Sequence, residues 1–172
     1  MPFKAIAPAG EKFYLNKTDK YAGITEEADR TFVVIREATN AEDRQRLPDE
    51  AREVVRTYRQ AEMGGTEMDY KRPGYNRDRA VIRMIWLVLT DSNLEDGYDA
   101  EHHPIPLFRF KQDGSIRRVD MTEEQFTVAI DKLHGFIVDE IFEKVIIKNP
   151  TWEIKPWGNR DRGGNPDPPR GD

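Results

Sequence analysis

The chain of 172 residues contains no cysteine. That absence excludes disulfide frameworks, thiolate zinc sites and cysteine nucleophiles. Long apolar runs are missing too. The longest, Met84 to Leu89, falls far short of the roughly 20 residues needed to span a bilayer. The opening Met1-Pro2-Phe3-Lys4-Ala5-Ile6 lacks the apolar stretch of a signal peptide, so the chain is expected to stay in the cytoplasm of the cell that makes it. A basic surplus is also lacking. The net charge of -5 disfavours a general nucleic-acid binder, which must neutralise phosphates, and disfavours adsorption to an anionic membrane. What is present is an apolar fraction of 37% and a charged fraction of 34%. This balance suits a globular domain with an economical core and a densely charged surface.

Periodicity and turn signals give an expected fold of the α+β class, mostly helical with a few short strands. Residues 1–30 hold short apolar pieces separated by Pro8 and Gly10 and read as an N-terminal arm or as short edge strands. The β-branched run Thr31 to Arg36 reads as a strand. Thr39 and Asn40 are candidate caps for helical sequence that follows. Pro48, Asp49 and Glu50 open a fresh helix with Ala51, Val54, Val55, Tyr58 and Ala61 on one face, stopped by Gly64-Gly65. Residues 76–89 read as a mostly buried helix with Arg83 on its exposed edge, and residues 91–106 as a polar loop. An alternating run from Leu107 to Lys111, a turn at Asp113-Gly114 and a return over Ile116 to Val119 predict a hairpin. Thr122-Glu123-Glu124-Gln125 is a capping box. The next helix shows an apolar row of Ile137, Ile141 and Val145 and closes at Asn149-Pro150. The expected division is a globular α-rich domain over 31–157 and a flexible tail over 158–172, which has no large apolar side chain.

Candidate chemistry is sparse. His102-His103, near Asp96, Asp99 and Glu101, resembles a metal-ligand cluster, but adjacent histidines in a proline-flanked loop seldom converge on one ion. The only serines, Ser92 and Ser115, sit in no nucleophile-elbow sequence. Asp139, Glu140 and Glu143 read as the solvated edge of a helix, not as an acid–base pair of divided pKa. Gly64-Gly65 is not followed by the lysine of a phosphate-binding loop. No catalytic, metal or cofactor site is therefore expected. Lys71, Arg72, Arg77, Arg79 and Arg83 are interleaved with Tyr70 and Tyr75, a pattern open to single-strand binding or to pairing with Glu67, Asp69, Asp78 or an acidic partner. Trp86 is expected in the core. Trp152 and Trp157, flanking Lys155-Pro156, either fold back or anchor a partner. The candidate partner-binding residues are Trp152, Trp157, Tyr70 and Tyr75.

Two phrases carry a resemblance. Phe32-Val33-Val34-Ile35-Arg36-Glu37-Ala38-Thr39, followed by the charged residues 40–46, resembles the strand-then-helix opening of tail assembly chaperones of long-tailed bacteriophages. The helix ending in Asn149-Pro150-Thr151-Trp152 is similar to the close of some of these proteins. The resemblance implies a mostly helical protein without an active site. It would coat the tape measure protein in the host cytoplasm, keep it soluble and help recruit tail-tube subunits, and it would act as an oligomer. The alternative is a virion component, such as a head-tail connector or tail protein, that grips its neighbours through terminal arms. Because the tail offers nothing to a core, a chain ending after Trp157 is expected to keep the full-length melting temperature and its partner binding. Calorimetry and a pull-down check this.

Overall fold

The structure, a computed structural model, describes residues 9–46 and 77–153. The sequence-predicted helix beginning at Pro48, the segment with Tyr70 and Tyr75, Trp157 and the 158–172 tail lie outside the described residues. Strand β1 (Glu11–Tyr14) and helix α1 (Asn16–Ala22) come first, then a 3-10 turn at Glu27–Asp29. Strand β2 (Phe32–Ile35) and helix α2 (Asn40–Gln45) follow. Helix α3 (Arg77–Val88) runs without a connecting residue into strand β3 (Leu89–Ser92). Next come β4 (Glu95–Tyr98), β5 (Pro104–Pro106), β6 (Phe110–Asp113) and β7 (Ile116–Val119). Helices α4 (Glu123–Ile130) and α5 (Gly135–Lys148) precede a last 3-10 turn, Pro150–Trp152.

The class is mixed α+β, with 46% of the described residues helical and 24% in strands, so the expectation of a mostly helical chain is corrected. The surplus strands come from residues 89–106. There β3 joins a three-stranded antiparallel sheet of order β1-β2-β3, and β4 and β5 form a separate ribbon. Residues 95–106 show no apolar alternation, because both strands of the ribbon are exposed throughout. Composition alone reads such a segment as loop. Residues 11–22 likewise belong to the folded body: β1 is the edge strand beside β2, and α1 packs on α5.

The sheet sorts its side chains by the two-residue period of a strand. Val33 and Ile35 point inward and are fully buried, while Phe32 and Val34 face the other way. Onto the inner face pack Met84, Ile85 and Val88 of α3, Phe126 and Ile130 of α4, and Ile137, Ile141 and Val145 of α5, in one hydrophobic cluster. The sequence-predicted capping box at Thr122 is present, and the candidate cap Thr39 forms a second one. Thr39 accepts from the Glu42 N–H and Thr122 from the Gln125 N–H, each with the reciprocal side-chain bond. The close approach of β1 to the sheet is fixed at Gly10. A Cβ there would lie 2.5 Å from Val34 Cγ1 and 2.8 Å from Thr90 Oγ1.

Two positions depart from the sequence reading. Glu140 is not on a solvated edge: it is 2% exposed and accepts from the backbone N–H groups of Lys17 and Thr18 and from Thr18 Oγ1. It thus supplies the N-terminal cap that α1 lacks locally, since Leu15 offers no side-chain acceptor. Arg83 is not on an open edge either. Its guanidinium binds both carboxylate oxygens of Glu123, tying α3 to the start of α4. Because Ile141 is fully buried, Ile141→Asp is expected to destabilise the fold by about 3 kcal/mol or more, the cost of an unpaired buried charge. A denaturant midpoint measured beside the parent checks this.

Candidate functional site

The two phrases singled out by resemblance, more than a hundred positions apart in the chain, meet in space. Asn149 Oδ1 accepts from the Ala38 N–H at 2.8 Å, and Asn149 Nδ2 donates to the Arg36 carbonyl at 3.2 Å. One side-chain amide thereby pairs with the backbone leaving β2, as a neighbouring strand would. Pro150 then starts the 3-10 turn that delivers Trp152 against α2, where its indole N–H donates to Asp43 Oδ1 at 2.8 Å. Arg46 closes the same contact by donating to the Thr151 carbonyl.

At the centre lies a buried ion pair. Arg36 and Glu42 are 2% and 3% exposed. The guanidinium forks onto both carboxylate oxygens, the strong bidentate geometry. The same guanidinium donates to the Leu87 carbonyl at 2.7 Å, and the Arg36 backbone N–H donates to Val88 O. Arg36 thus sits at the C-terminal end of α3, where free carbonyls and the helix dipole favour a cation. Glu42 lies in the first turn of α2, where an anion is favoured. Its oxygens also accept from the Thr39 N–H and from Arg118 Nη1 at 2.9 Å, which fills the acceptor capacity of a carboxylate. Burial by itself would raise the Glu42 pKa. The bonds from Arg36 and from the Thr39 N–H, together with the Arg36 charge, outweigh it and hold the carboxyl below its ordinary value. The Arg36 Nε is left without a partner.

Such a junction locks elements together and leaves no group poised for proton transfer. Elsewhere the sequence-predicted residues separate. Trp152 takes the folded-back course: at 1% exposure it is unavailable as a surface anchor, because its ring completes the core beside α5. Trp86 is partly buried against the core and donates to the Met121 carbonyl. His103 lies 3.5 Å from Asp99 and 3.6 Å from Glu101, but Asp99 Oδ1 is occupied by the N–H groups of Glu101 and His103. That carboxylate builds the turn between β4 and β5, with His102 at φ 63°. Among the described residues no group of three His, Asp or Glu side chains converges as metal ligands do. A shallow concavity of about 490 Å³ lies beside α1, lined by Asp19, Lys20 and Arg30 among others. Its Asp19 already accepts from the Thr31 N–H.

Sequence reasoning missed an exposed aromatic cluster where α1 ends and α5 begins. Tyr21 is 66% exposed. Its ring meets His134 at 5.6 Å and Phe136 at 4.9 Å edge-on, and His134 stacks on Phe136. Each residue is unremarkable in its own stretch of sequence. The packing of α1 on α5 unites them.

The junction predicts its own mutational and pH behaviour. Arg36→Ala strands a buried carboxylate and is expected to cost about 3–5 kcal/mol. Because the folded-state pKa of Glu42 is lowered, the unfolded chain binds this proton more readily. The contribution is therefore complete above the ordinary value of 4.5 and is lost as pH falls through the lower folded value. Glu42→Gln is expected to be less stable at neutral pH and to show a flatter loss of stability below that point. Urea titrations across the acid range check both.

Comparison with family models, with curated proteins and with solved structures found nothing that matches this chain.

Proposed function

We propose that the protein acts by binding other proteins, as a tail assembly chaperone of a long-tailed bacteriophage that engages the tape measure protein during tail morphogenesis. The observation that supports this reading is the junction itself. The Arg36-Glu37-Ala38-Thr39 phrase and the Asn149-Pro150-Thr151-Trp152 phrase, the two marks of the resemblance, are halves of one interlocked buried structure. Within the fold the two short phrases depend on each other physically, which supports reading them together. Apart from Arg36 Nε, the buried polar side chains of the junction find partners, which suits a scaffold for a binding surface.

The alternative, a head-tail connector or other virion component with gripping arms, loses much of its N-terminal arm, since residues from Glu11 onward are built into the sheet and α1. The exposed surface offers a footing for an apolar helix instead. Tyr21 and Phe136, with His134 between them, form an aromatic patch of the kind that anchors protein interfaces.

Co-expression with the tape measure protein of the same phage tests the reading. The chain is expected to hold the tape measure in the soluble fraction and to be missing from purified particles. Tyr21→Ala combined with Phe136→Ala is expected to weaken that capture by about tenfold or more, the effect of removing interface anchors, while the circular dichroism melt is retained. Recovery of the chain at fixed copy number in purified particles would instead favour the virion component.

A further inference from the structure

The β4–β5 ribbon buries almost nothing within the chain. Both strands are exposed at every position, with Tyr98 at 68% and Ile105 at 40%. An isolated two-stranded ribbon is marginal in water. This one is held at its base, where the Leu107 N–H donates to Leu94 O, and at its tip by the Asp99 turn. Residues 95–106 carry four carboxylates, on Glu95, Asp96, Asp99 and Glu101, with no lysine or arginine. Asp96 is paired with Lys132. Asp99 and Glu101 lie beside His103, and Glu95 has no lysine or arginine partner among the described residues.

The outer face of the β1-β2-β3 sheet carries the cations Lys12 and Arg30, and its one acid, Asp91 opposite Val34, is paired with Arg117. Cross-strand partners Tyr14 and Phe32, and Lys12 and Val34, lie on the side away from the core. Lys12 Nζ stands 4.1 Å from the centre of the Phe32 ring, and the Arg30 guanidinium lies 3.7 Å from that of Tyr14. Arg30 is shared with Glu27. Lys12 has no carboxylate partner among the described residues. Cations parked on aromatic faces keep their charge outward over an apolar floor. Stacking bases would have to displace these cations to reach the rings, so the face does not suit a nucleic-acid strand.

We propose that the two surfaces complement each other between copies of this chain: the acidic ribbon of one copy lies on the Lys12–Tyr14–Phe32–Arg30 face of another. Tyr98 and Ile105 supply the apolar contact, and Glu95 and Glu101 meet Lys12 and Arg30. Because each copy carries both surfaces, reciprocal exchange closes a two-fold dimer. This inference does not depend on the tail-assembly reading.

Sedimentation equilibrium of the full chain tests it. The parent is expected to associate, and less so as salt rises. Lys12→Glu alone, and Glu95→Lys with Glu101→Lys, are each expected to weaken association by about tenfold or more, as loss of cross-interface charge pairs does. The milder Lys12→Gln is expected to weaken it less. Mixing the two reversed chains restores opposite charges at both contacts, and a mixed dimer is expected to recover the lost affinity. Circular dichroism melts of each variant verify folding. A parent that stays monomeric at every accessible concentration would overturn the proposal. So would association indifferent to both reversals, which would place the contact on another face, or failure of the mixture to recover.

Discussion

The Arg36–Glu42 pair is the constraint around which the described structure is arranged. A guanidinium removed from water is costly, and this one is retained because both of its terminal nitrogens find acceptors, with only Nε unpaired. It meets the carboxylate of α2 and the last carbonyls of α3, and the backbone beside it is held by Asn149. The pair therefore joins the C-terminal end of one helix to the N-terminal turn of another, where cation and anion are each favoured. Strand β2, which Arg36 directly follows, is placed between them as a consequence. The hydrophobic cluster supplies most of the driving force for folding. The ion pair determines which arrangement of those apolar faces is permitted, since a shifted register would leave a buried charge unpaired.

Local devices were legible in the sequence, and remote ones were not. Thr39 and Thr122 announce helix starts because a capping box closes within four residues. Asn149-Pro150 announces a helix end, and Asp113-Gly114 a hairpin, for similarly short-range reasons. The row of Ile137, Ile141 and Val145 is readable because burial imposes the period of the helix on composition. Glu140 gave no such signal. Its partners are the amides of Lys17 and Thr18, more than 120 positions away, and a glutamate on a helix looks solvated until α1 is seen resting on it. Arg83 was misread for the same reason, its partner Glu123 lying on another helix. The β4–β5 ribbon escaped notice for a different cause. A strand exposed on both faces has no pattern of burial to write into its residues.

The candidate site divides along the same line. The phrases around Arg36 and Asn149 could be noticed separately, but their union depends on tertiary packing. So does the gathering of Tyr21, His134 and Phe136, which come from two helices and the cap of one of them. Trp152 shows the reverse case. Its position near a polar segment left both an anchor and a fold-back open, and the short turn after Asn149 spends it on the interior, with its N–H satisfied by Asp43.

The direct passage of α3 into β3, at Val88 and Leu89, leaves no slack between a core helix and a sheet edge. A loop would let the helix fray or rotate while the strand kept its ladder. Here a turn of the helix about its axis would have to drag the strand out of register with β2. Helix and strand are thus expected to open as one cooperative unit, and their amide protons to exchange with solvent through a shared opening event. The protein's slowest-exchanging protons should then run continuously across a change of secondary structure, from Met84 in the helix to Thr90 in the strand.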